Sequence, residues 1–167
     1  VASFTPSATP AAPNRVRLAD GGASGDTVVV NVVIGGPTTS EDIYSFAFDV
    51  FLDDPTVATF LDGQEAAGNA LVPTGSQSLI VQVAPSSQDP QRRIVVGVTK
   101  AGGGSGNGIA GAEATIVSLP FRVLRVAPTG IRLVGSSPSI PPRALDSAGN
   151  PILSIEFDTQ PATLRGS

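Results

Sequence analysis

The 167-residue sequence contains no cysteine, histidine, methionine or tryptophan, and only one lysine and one tyrosine. Without cysteine there is no disulfide and no thiolate metal site; without histidine the usual general base and the commonest metal ligand are missing. Most familiar catalytic constellations are thereby excluded. Charge is sparse as well, with ten basic and fourteen acidic residues giving a formal net charge of −4. The basic residues are dispersed, so nothing forms the electrostatic footprint that DNA, RNA or an anionic bilayer would select. Long apolar runs are lacking too: none approaches the roughly 20 residues that span a bilayer, and the opening VASFTPSATPAAPN has no signal-peptide pattern. The sequence reads as a mature fragment or an excised domain.

What it does contain is glycine and proline, nineteen and fifteen residues, scattered between short runs of valine, isoleucine and phenylalanine. Many short strands joined by turns require that composition, so the expected class is all-β. Length suits one well-buried domain. Residues 1–14 read as an N-terminal linker or edge segment, in which VASF could pair as an edge strand, and 15–167 as the domain. A turn, DGGASGD, precedes a strand over Thr27 to Ile34, TVVVNVVI.

The stretch IYSFAFDVFLDDP (43–55) gathers half of the aromatic residues. Its alternation puts Tyr44, Phe46, Phe48, Val50 and Leu52 on one face and Ser45, Ala47, Asp49, Phe51 and Asp53 on the other. A sugar-stacking platform needs its aromatics exposed together, whereas these share a face with Val50 and Leu52 and read as core. Phe51 alone has the outward parity, either as an exposed hot spot or packed under a loop. Asp53, Asp54 and Pro55 end the strand. TVATFL, SLIVQVA (78–84) and RIVVGVT (93–99) follow as strands, the last two as an antiparallel pair, with an irregular 62–77 stretch carrying one helical turn around Glu65 to Ala67. AEATIVSLPFRVL, with a bulge or edge at Pro120, then GIRLVG, ILSIEFD and PATLR bring the total to nine or ten strands. Connections of such varied length favour a two-sheet sandwich over a closed barrel.

Other candidate sites reduce to ordinary structure. GNGIAG (106–111) satisfies a nucleotide-binding spacing, but a β-rich run follows where a helix must hold the pyrophosphate, so it reads as a loop. Asp53, Asp54 and Asp62, and Asp146 with Asn150, offer oxygen ligands of the kind calcium takes, yet they fit no EF-hand loop and turn formation explains them. Glu41 with Asp42 and Asp53 with Asp54 are neighbours whose side chains diverge, unlike a glycosidase pair. Lys100 has no paired motif with which to activate a serine.

Three blocks resemble bacterial cohesins: GDTVVVNVVI (25–34), IYSFAFDVFLDDPTVATFLDGQ (43–64) and IVVGVTKAGGGSGNGIAGAEATIVSLPFRVL (94–124), in family order. The resemblance implies a jelly-roll sandwich of about nine strands, secreted or displayed at a bacterial surface, non-catalytic and without a cofactor of its own. It would be a monomeric module of a larger chain whose partner is a calcium-loaded dockerin. The family's partner face would map to strands near Ile43 to Leu52, Ser78 to Ala84, Arg93 to Lys100 and Ala114 to Val123. The implied partner-binding residues are Ser45, Ala47, Asp49, Phe51, Ala84, Gly97 and Lys100. Ala47, Ala84 and Gly97 stand where cellulosomal members often carry polar or aromatic residues, so partner specificity does not transfer. A carbohydrate-binding module of similar fold and a structural spacer stay open as alternatives.

Overall fold

The computed structural model describes residues 1–73 and 78–167. Among them are thirteen strands and no helix. In chain order these are β1 (Ser3–Thr5), β2 (Arg15–Ser24), β3 (Thr27–Gly35), β4 (Ser45–Leu52), β5 (Ala58–Phe60), β6 (Ala66–Ala67), β7 (Leu79–Pro85), β8 (Arg93–Lys100), β9 (Glu113–Val123), β10 (Pro128–Val134), β11 (Arg143–Leu145), β12 (Glu156–Phe157) and β13 (Ala162–Arg165). One sheet runs β1-β13-β10-β4-β8-β7, with β11 on β4 beside β10; the other runs β12-β2-β3-β9-β5, with β6 also on β9.

Alternation builds the core between the two sheets. Phe46, Phe48, Val50 and Leu52 of β4 face Val28, Val30, Val32 and Leu119, Phe121 of the opposite layer within one continuous cluster. Burying each large side chain contributes roughly 1.5–3 kcal/mol, which accounts for the concentration of phenylalanine in this strand. Tyr44 departs from the predicted floor. Its hydroxyl accepts a hydrogen bond from the Gly103 amide, and Ile43 is the fully buried residue. The reason is that β4 begins at Ser45: residues 43 and 44 are held by separate backbone bonds to Asn107, Leu145 and Lys100, and the parity of the strand does not extend to them.

Several expectations need correction. The predicted turn at 20–26 is shorter, because β2 runs on to Ser24 through a register shift between Asp20 and Ala23 and turns at Gly25 with φ 62°. The helical turn at Glu65 to Ala67 is instead β6, whose backbone joins the open edge of β9; a single helical turn offers no competing ladder. The 74–77 part of the stretch read as irregular lies outside the described residues. ILSIEFD yields only Glu156–Phe157, the pair that reaches a free edge of β2, while Leu153 is 93% exposed. In β9 the register shift falls at Ile116, opposite Val32 and Val33, rather than at Pro120. Pro120 is tolerated because its carbonyl accepts from Leu61, so its missing N–H faces the break between β5 and β6. Ala114–Val123, expected on the same face as β4, belongs to the opposite sheet, and β10 and β11 lie beside β4 instead.

The N-terminal segment joins the sandwich through β1, antiparallel to β13, with Phe4 buried. The Val1 amine donates to Ser167 O and Oγ at 3.3 and 2.9 Å, so the two ends meet at one pole.

Candidate partner-binding face

The outer surface of β7, β8, β4 and the β10–β11 pair is built in rows by strand register. Ile80, Thr99, Ser45 and Leu145 form one row; Gln82, Gly97, Ala47 and Arg143 the next; Ala84, Val95, Asp49 and Val134 a third; Arg93, Phe51 and Arg132 the last. These positions alternate with core residues, so all project away from the interior. At Gly97, Ala47 and Ala84 the middle rows carry no more than a methyl group. A Cβ built on Gly97 would meet nothing within 4 Å, which leaves this part of the sheet shallow and open. Ile80 and Val95 are 49% and 45% exposed, apolar side chains presented to solvent on the same surface.

The last row is a built cluster. The Arg93 and Arg132 guanidinium carbons lie 5.5 and 4.9 Å from the Phe51 ring centre, one on each flanking strand. Arg93 Nη1 also donates to Asp49 Oδ2 at 2.8 Å and to the Gly135 carbonyl at 2.9 Å, and Arg132 Nη1 donates to Asp53 Oδ1 at 2.7 Å. Phe51 is therefore neither a free hot spot nor buried under a loop. It is a half-buried ring held between two cations. A groove of about 500 Å³ adjoins it, lined by Arg93, Arg132, Val134, Pro138, Pro141 and Pro142 among others.

Six of the seven residues singled out in the sequence, Ser45, Ala47, Asp49, Phe51, Ala84 and Gly97, lie on this outer face. Asp49 is nonetheless 3% exposed, its carboxylate committed to Arg93. Lys100 does not join them. It shares the inward parity of Ile94, Val96 and Val98, is 5% exposed, and its Nζ donates to the Ser105 carbonyl and Asn107 Oδ1 at 3.1 and 3.2 Å. The lysine anchors the glycine-rich loop, where Gly102, Gly103 and Gly104 take φ values of 87, 78 and 93° that other residues rarely adopt. Asp42 holds the same loop. Its Oδ1 accepts from the Gly106 amide at 2.6 Å and its Oδ2 from Ser147 Oγ at 2.8 Å, and these bonds, that from Gly106 first, keep its carboxyl below the ordinary range.

The acidic turns are internally engaged. Asp54 Oδ1 accepts from the Thr56 hydroxyl and amide, which lower its pKa, and Asp146 Oδ1 accepts from the amides of Ala148 and Asn150. Among the described residues no group of three or more potential metal ligands comes together. Sequence reading missed Arg143 and Arg132, which the proline-rich connection and β10 bring beside β4.

No protein-family model matches the sequence, and no curated protein matches it. Among solved structures, the second type II cohesin module of the adaptor ScaA scaffoldin of Acetivibrio cellulolyticus aligns with a TM-score of 0.63 at 17% identity, over 89% of this chain and 87% of that one. The chain has the cohesin fold. Type II cohesin A11 from Bacteroides cellulosolvens aligns at 0.62 and 14% identity over 88% and 96% of the two chains. A type II cohesin–X-dockerin complex from A. cellulolyticus aligns at 0.59 and 14% identity over 93% and 97%. The cohesin likeness thus spans both sheets and agrees with the expected two-sheet, jelly-roll sandwich.

Proposed function

We propose that this module is a non-catalytic recognition domain that binds a dockerin across the outer face of β7, β8 and β4. The observation that carries the reading is the open, small-residue surface centred on Ala47 and Gly97, on a fold shared with cohesins found in dockerin complexes. Such a surface lets a partner's backbone approach closely while Ile80 and Val95 supply apolar area at its edge. The absence of histidine and cysteine supports a role without catalysis. The sugar-binding alternative loses support because none of the eight aromatic residues is exposed; Tyr44 and Phe51 are half-buried and engaged. In this reading the domain is a monomeric unit of a secreted or surface-displayed protein, needs no cofactor of its own, and meets a calcium-loaded partner.

The test is calorimetric titration of the domain with dockerins from its own source, with and without chelator. Gly97→Arg, which places a long cation where the surface is open, is expected to reduce affinity at least ~100-fold with the unfolding midpoint unchanged. Retention of the domain by an insoluble polysaccharide with no dockerin bound would overturn the proposal.

A further inference from the structure

The proposed face carries one charge that the fold itself does not use. Of the nine arginines, Arg15, Arg17, Arg93, Arg122 and Arg132 are in ion pairs, and Arg92, Arg125 and Arg165 are exposed to solvent. Arg143 is different. It is half-buried, and among the described residues it has neither an ion-pair nor a hydrogen-bond partner. No unpartnered side-chain nitrogen in these residues is closed off from solvent, so its donors remain reachable.

Its position gives that guanidinium a purpose. Arg143 stands opposite Ala47, which stands opposite Gly97, which stands opposite Gln82. Between Arg143 and Gln82 the row rises no higher than one methyl group, while the flanking rows carry Ser45, Thr99 and Ile80 on one side and Asp49, Val95 and Ala84 on the other. The row is a low strip crossing four strands, about 14 Å long at about 4.8 Å spacing, with Arg143 standing at one end of it.

We infer that Arg143 pairs with a carboxylate of the partner that docks on this face. This rests on the dockerin reading above and specifies the chemistry that reading leaves open. Arg143 is a specificity-determining residue. It selects an aspartate or glutamate on the partner's contact surface, since a planar guanidinium with free donors matches a carboxylate through two parallel hydrogen bonds. Asp49 and Asp53 do not compete, because each is already paired with another arginine.

The experiment uses the intact domain with the X-dockerin of A. cellulolyticus and dockerins from the domain's own source. Arg143→Ala is expected to weaken binding about 10-fold and Arg143→Glu about 100-fold, with Arg143→Lys between wild type and alanine. Exchanging the facing partner carboxylate for arginine should restore affinity to Arg143→Glu. If Gly97→Arg abolishes binding while Arg143→Glu stays within twofold of wild type, the face is right and the role of Arg143 is overturned. If wild type binds none of these partners, the dockerin reading and this inference fall together.

Discussion

Phe51 shows how one side chain can satisfy two demands at once. It has the wrong parity for the core, and leaving it bare would expose an aromatic ring; two guanidinium groups cover it instead. The two arginines are not equivalent. Arg93 neutralises a carboxylate whose side chain is 4% exposed, whereas Arg132 pairs with Asp53 at the surface. Replacing Arg93 with alanine leaves the buried Asp49 charge uncompensated and should destabilise the domain by about 2–3 kcal/mol. Replacing Arg132 should cost less than about 1 kcal/mol. Urea unfolding of the two variants checks the contrast, and equal losses would refute it. Lys100 teaches the opposite lesson about reading parity. Its register with Ile94, Val96 and Val98 marks it as inward, whereas the resemblance to cohesins pointed to the partner face.

At the level of elements, Asp42 ties three connections together. Its carboxylate joins the start of β4 to the glycine-rich loop through Gly106 and to the 146–150 turn through Ser147. The ionised form accepts these bonds, so the folded-state pKa lies below the unfolded value of about 3.9. The stabilisation is therefore complete above that value and is lost as pH falls through the folded pKa. Asp42→Asn should flatten the dependence of stability on pH in that acid window and leave the slope near neutrality unchanged. Denaturant midpoints between pH 2 and pH 7 read both. Strands with clean two-residue alternation, β3, β4, β7 and β8, were legible in the sequence because that period is a local property. Which strand adjoins β4 was not, since β9 and β10 carry similar apolar runs and only long-range pairing distinguishes them. β11 was hidden for another reason: three residues after Pro141 and Pro142 cannot display a period, although they deliver Arg143 to the candidate face.

For the molecule as a whole, the two chain ends are neighbours, and their joining should leave the fold intact. A circular permutant with Ser167 linked to Val1 through about five glycines and opened between the exposed Asp62 and Gly63 should fold to a stability within about 2 kcal/mol of the parent. Thermal unfolding and dockerin titration of the permutant measure both consequences, and loss of the cooperative transition would show that the order of the strands matters more than their contacts. The same meeting of ends governs how the domain carries load. β1 and β13 run antiparallel, with Ser3 opposite Arg165 and Thr5 opposite Thr163, so their free ends leave the sheet side by side. Tension applied between those ends peels β1 from β13 one backbone bond at a time instead of shearing all of them together. The proposed partner face on β7, β8 and β4 lies on the far side of β10 from that seam, so under the dockerin-binding proposal grip and mechanical release fall to different strands of one sheet.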